Sequence, residues 1–148
     1  MPFWKLPEGL SVAPDGTWCV GEVPVEHATT LRWLKRHLQF EDGGAFVVDG
    51  AQRLPVRVEG PAFEVRQLRF DAAAGELYAQ LDDGSEEPVP DGSLGLDETS
   101  GRFYCAVRRG RGRASLSRAA LQQVLDHVIE HEGGFALEVG QRRFTLRT

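Results

Sequence analysis

Three groups of residues in this chain are of types that do chemistry. The first is the run Arg108-Arg109-Gly110-Arg111-Gly112-Arg113. Four guanidiniums around two glycines can set bidentate donors and backbone N–H groups about a phosphate or carboxylate. The run leads to Ser117, a good N-cap, and the start of a helix favours anions. Arg108, Arg111, Arg113 and Arg118 are therefore the expected binding residues for an anionic, nucleotide-like small molecule. The alternative is a solvated hairpin turn whose arginines are balanced by the acidic stretch before it. The second group, His127-Val-Ile-Glu130-His131, matches the H-x-x-E-H string of inverted zinc peptidases. That site needs a further acidic ligand from a distant helix, and only 17 residues follow His131, all in an expected hairpin. A helix-face histidine near a helix C-terminus, where the dipole favours cations, is the better reading. The third group, Cys19 and Cys105, lies in apolar strand-like contexts with no metal-type ligand nearby, as buried thiols do.

Neither a Gly-x-Ser-x-Gly elbow, a G-x-G-x-x-G turn nor a P-loop is present, and no nucleophile, base and orienting group can be assembled from neighbouring motifs. The expectation is a non-enzyme with no cofactor and no metal. A net charge of −5 argues against a nucleic-acid partner, which would need a basic footprint to release counterions. The total hides an asymmetry. Residues 82–101 carry seven acids and no Lys or Arg, whereas residues 102–118 carry six arginines and no acid. The N-terminus shows no basic leader before an apolar stretch and no run reaches the length of a membrane span, so a cytoplasmic location is expected. Trp4, Trp18 and Trp33 are too dispersed for a base-stacking platform and read as core or rim residues.

The elements that must position these residues follow from an internal repeat. Laid on residues 121–147 at a constant offset of 90 without a gap, residues 31–57 show seven identities. They are Leu31/Leu121, His37/His127, Gly43/Gly133, Gly44/Gly134, Gly50/Gly140, Arg53/Arg143 and Arg57/Arg147. Such agreement points to duplication. In the second copy Leu121, Val124, Leu125 and Val128 fall at i, i+3, i+4 and i+7 behind Ser117, and Gly133-Gly134 reads as the helix stop. In the first, Leu31, Leu34 and Leu38 predict a helix over about 27–40 ending at Gly43-Gly44. A hairpin follows each, turning at Asp49-Gly50 or Val139-Gly140. Further strands are expected at 17–20, 63–70, 76–81 and 102–108. The fold class is α+β with two helix-plus-antiparallel-sheet halves: an N-terminal half over 1–81, an acidic connector over 82–101 and a C-terminal half over 102–148. The paired Arg53, Arg57, Arg143 and Arg147 would line a shared cleft if the halves were related by a pseudo-twofold, and otherwise face solvent.

Several short motifs carry a family resemblance. Gly16-Thr-Trp18, Gly21-Glu-Val-Pro24-Val25, Glu41-Asp42-Gly43 before Phe46-Val47-Val48, and Val58-Glu59-Gly-Pro61-Ala62-Phe63 resemble the bacterial domain-of-unknown-function family 1285. Tyr104, Val107-Arg108 and Leu116-Ser117-Arg118 resemble its C-terminal signature, so the likeness spans about 14–146. A weaker likeness to the uncharacterised family 0598, which includes mitochondrial proteins, lies around Gly101-Arg-Phe103-Tyr104. The first resemblance implies a duplicated α+β core, a second half similar to pleckstrin-homology-type sheets, and a ligand site between the halves. Residue by residue it reaches Arg108 and Arg118. The chain departs from the family where Leu-Glu-Ala usually follows the Val-Arg pair and Arg-Gly-Arg-Gly-Arg stands instead. The sequence thus points to a non-catalytic module for an anionic or nucleotide-like ligand in signalling, with a protein–protein adaptor or homodimer as the alternative.

Overall fold

The computed structural model describes residues 9–147, so Trp4 and the N-terminal segment lie outside the described residues. The chain runs β1 (Leu10–Val12), β2 (Trp18–Val20), β3 (Val23–Pro24), α1 (Ala28–Arg36), β4 (Leu38–Glu41), β5 (Gly44–Asp49) and β6 (Gln52–Val58). Then come β7 (Phe63–Asp71), β8 (Glu76–Leu81) and β9 (Glu86–Pro88). The rest is β10 (Gly95–Asp97), β11 (Arg102–Val107), β12 (Gly112–Leu116), α2 (Arg118–His127), β13 (Val128–His131), β14 (Gly134–Val139) and β15 (Arg142–Thr145). Among the described residues the strands form two six-stranded sheets and one three-stranded sheet, so the α+β protein is mostly β.

The same order of strands occurs twice. In β1–β6 it is β3-β2-β1-β6-β5-β4, with β1 and β6 parallel through Ser11 and Arg57. In β10–β15, β10 pairs with β11 and β11 with β12, while β13, β14 and β15 form a meander. A parallel bridge between Gly95 and Arg147 joins the two parts. It is secured by Leu96 N–H to Arg147 O and Arg147 N–H to Leu94 O, both 2.9 Å. Arg57 and Arg147, equivalent at the offset of 90, thus hold equivalent places in the ladder. The hairpin β7–β8, with β9 beside it, lies between the copies in sequence, and β7 extends the second sheet by pairing parallel with β12. The acidic stretch 82–101 therefore carries β9 and β10 rather than turns alone.

Both helices are shorter than their apolar spacing predicts, and neither Gly-Gly pair is a helix stop. His37 closes α1 with its N–H on Trp33 O, and Leu38, counted in the helical stripe, is already on β4 opposite Val47. Likewise Val128 opens β13 opposite Leu137. An apolar residue at i+7 fits the last helical turn and the first inward strand position equally well. The glycines make the next turn. Glu132 and Gly133, with φ of 50° and 78°, form a two-residue hairpin link between the paired His131 and Gly134. Each helix is thus followed by three strands, not two.

Caps agree with the local chemistry. The Ser117 hydroxyl accepts the Ala120 N–H at 3.1 Å and donates to Arg66 O at 2.8 Å, while His27 caps α1 by accepting the Thr30 N–H. One core runs through both copies and the inserted hairpin, with Trp18, Leu34, Leu38, Val47, Phe63, Leu77, Leu137 and Phe144 all buried. Trp18 donates its indole N–H to Ala62 O at 3.0 Å, and the half-buried Trp33 stacks on His37.

Candidate functional site

The arginine run occupies the connection between β11 and β12. Arg108 and Arg109 both have positive φ, 52° and 59°, and Gly110 donates its N–H to Val107 O at 3.1 Å. Four residues, 108–111, link the paired Val107 and Gly112, and the first three are left-handed, a region that favours Gly or Asn because a side chain there costs roughly 1 kcal/mol or more. Two consecutive arginines hold it here. Backbone strain of this sort is kept where surrounding contacts over-determine it.

Those contacts come from the turn after β8. Asp83 is 1% exposed; its Oδ1 accepts the Ser85 N–H at 2.9 Å and the Ser85 hydroxyl, and its Oδ2 accepts Arg108 Nη2 at 2.6 Å. Glu87 accepts the Arg108 backbone N–H at 2.8 Å and also its Nη1. The same guanidinium lies 4.5 Å over the Phe63 ring. Burial opposes the charged form of Asp83, but the hydrogen bonds from Ser85 and Arg108 outweigh it and hold the carboxyl below its ordinary value. From the other side α1 grips this turn. Lys35 pairs with Asp82, and Arg36 Nη2 donates to Asp83 O at 2.9 Å. The turn therefore ties the first copy's helix to the second copy's hairpin.

The remaining arginines separate. Arg109 is exposed and has no polar partner among the described residues. Arg111 donates to Phe40 O at 2.9 Å and stands 3.8 Å from Asp42, with 55% of its side chain exposed. Together with Arg36, Arg108, Leu38, Gln39 and Phe40 these two line an open cleft of about 650 Å³ between β4 and the β11–β12 turn. Arg113 is elsewhere, over the Tyr104 ring, in a cleft with Asp97, Glu98 and Arg147. Arg118 is the exposed first residue of α2. So Arg108 and Arg111 meet, Arg113 and Arg118 lie apart from them, and the charge of Arg108 is already compensated within the fold. Arg36 joins the cleft from 72 residues before Arg108, a proximity that no spacing in the sequence displays.

The other candidate chemistry resolves more simply. H-x-x-E-H does not lie along a helix: His127 ends α2 and His131 sits on β13. His127 stacks on Phe70 with Nδ1 2.8 Å from Gln123 O, and His37 repeats that bond to Trp33 O. Cys105 is buried, and burial together with the Glu87 charge pushes its thiol up to about 12, so it holds no thiolate near neutrality. Cys19 is half-buried and free. Of the repeat arginines, Arg53 pairs with Glu41, Arg57 with Glu59 and Arg143 with Glu138, whereas Arg147 donates to Ser93 O. They form no common cleft.

These features define an α+β protein in which an arm of one copy reaches over a cleft of the other. No family model matches the chain, and no curated protein matches it. Its fold is that of solved DUF1285 family proteins, the family its motifs resemble. One, from Silicibacter pomeroyi DSS-3, is 20% identical with a TM-score of 0.74, covering 95% of this chain and 80% of that one. Another, from Shewanella baltica OS155, is 15% identical with a TM-score of 0.62, covering 82% and 94%.

Proposed function

We infer that the protein is a non-catalytic module that binds a small anion in the cleft between β4 and the β11–β12 turn. The observation that carries this reading is Arg109: a guanidinium without a carboxylate partner among the described residues, held in a strained backbone conformation at the rim of a cleft that Arg36 and Arg111 also line. Its neighbour Arg108 takes up Asp83 and Glu87, so those acids do not neutralise the cleft. The expected site thus shifts from Arg108, Arg113 and Arg118 toward Arg36, Arg109 and Arg111. The matching registers of the two copies support duplication, with one copy supplying the cleft wall and the other the arm.

The test is thermal denaturation with inorganic phosphate and pyrophosphate at two salt concentrations. At a hundred times its dissociation constant a ligand stabilises by about 2.7 kcal/mol, several degrees for a chain of this size. The expected shift shrinks in high salt and disappears in Arg109→Ser. A shift that survives in Arg109→Ser overturns the site, and no shift with either anion overturns the reading. The adaptor or homodimer reading rests on a different feature, the edge strand β3 with Val23 68% exposed, and predicts a change of mass in sedimentation that Val23→Lys abolishes.

A further inference from the structure

The two copies differ at the site, and the difference concerns what the rest of the ligand is made of. A second cleft of about 520 Å³ lies on the inner face of β4–β6, lined by Phe40, Ala45, Val56, Val58, Asp42 and Arg111 among others. It shares Phe40 and Arg111 with the arginine cleft, so the two meet along those side chains. Phe40 is fixed there: a Cβ on Gly112 would stand 2.9 Å from its ring carbons, so the ring lies against bare backbone of the arm. On β5, Ala45 faces Phe40 across the ladder and Val56 on β6.

At the offset of 90 the counterparts of Phe40 and Ala45 are Glu130 and Phe135, which face each other in the same register. The second copy therefore carries a phenyl ring at the position where the first carries a methyl group. Because Ala45 is small, the half-buried Phe40 and Val58 keep an apolar shelf toward the cleft in the first copy beside the arginines, with Ala45 and Val56, each 7% exposed, at its floor.

We propose, building on the anion-binding reading, that the ligand is a phosphate monoester with a flat apolar body. The phosphate lies toward Arg36 and Arg109, and the body rests on Phe40, Ala45, Val56 and Val58. Charge sets this orientation. On the shelf side Glu41 and Asp42 stand against Arg111 alone, whereas Arg36 and Arg109 join Arg111 on the other side with no acid in the lining, so the anionic group is drawn there. Asp42 also offers an acceptor to hydroxyl groups on the body, as a nucleoside monophosphate would present. A free inorganic anion would leave the shelf unused.

Phenyl phosphate and inorganic phosphate, titrated by calorimetry against the full chain, test this. Phenyl phosphate is expected to bind about tenfold more tightly, from one ring face leaving water. Its ring protons should give intermolecular NOEs to the methyl groups of Val56 and Val58. Ala45→Phe, which installs the side chain already present at the equivalent position of the second copy, should bring the ratio of the two affinities close to one. Melting of the unliganded variant checks that it folds, and the NOEs test the shelf without any variant. Equal affinities with Arg109-dependent phosphate binding overturn the monoester inference and leave the anion site standing. A preference for phenyl phosphate without the NOEs, or unaltered by a folded Ala45→Phe, overturns the shelf. No binding of either compound overturns both readings.

Discussion

Arg108 and Arg109 are neighbours with opposite consequences. Replacing Arg108 by Ala strands the Asp83 carboxylate, which is 1% exposed, and should cost about 3 kcal/mol in urea denaturation. Replacing Arg109 by Ser removes no internal contact and should leave the midpoint unchanged. Arg108→Ala is therefore a probe of the fold, although the sequence places Arg108 among the expected binding residues. The run of arginines was legible in the sequence; which of them is satisfied was not, because Asp83 and Glu87 lie 25 and 21 residues away. Asp83 also sets a pH dependence. Its folded-state value lies below the ordinary one near 3.8, so the unfolded chain binds its proton first as pH falls. Its contribution is complete above roughly pH 5 and is lost as pH falls below 4 toward the folded-state value. Melting temperatures recorded from pH 7 to 3 should fall at the acid end, and Asp83→Asn should flatten that fall.

The β11–β12 turn has a cost that glycine would relieve. Arg109→Gly should raise stability by up to about 1 kcal/mol while weakening anion binding, a trade measurable by melting and phosphate titration on one variant. Gly112→Ala acts oppositely: its Cβ meets the Phe40 ring and should cost about 1 to 2 kcal/mol. Strand positions were readable from the alternation of β7, β8 and β11, and the cap at Ser117 from its residue type. The helix ends were not. A stripe that continues through Leu38 or Val128 has no local mark where the backbone leaves the helix, since side chains there stay on the buried side in either conformation.

For the molecule as a whole, the repeat was the most legible feature, since it is a property of the sequence itself. The first two strands of the second copy repeat the pairing but neither the spacing nor the residues, since Gly95 opposite Arg147 stands where Ser11 does opposite Arg57, and β10 lay hidden within an acidic stretch. The insertion of β7 beside β12 is a long-range pairing that no local signal announces. Since the turn at Asp82-Asp83 holds α1 and the arm together, the copies should unfold as one. The described tryptophans, Trp18 and Trp33, both lie in the first copy, so their fluorescence follows that copy while far-UV circular dichroism follows all of it. Coincident urea transitions by the two probes are expected, and separated ones would show that the copies unfold independently. The arm carries a broader implication. Its root is pinned by Asp83 and Glu87, whereas Arg109 and Gly110 at its tip touch neither sheet core. Residues 109 and 110 can then be exchanged with little penalty to either copy, whereas Gly112, packed against the Phe40 ring, cannot. A fixed root with a replaceable tip means that exchanges at the tip alter what borders the cleft and leave the architecture as it is.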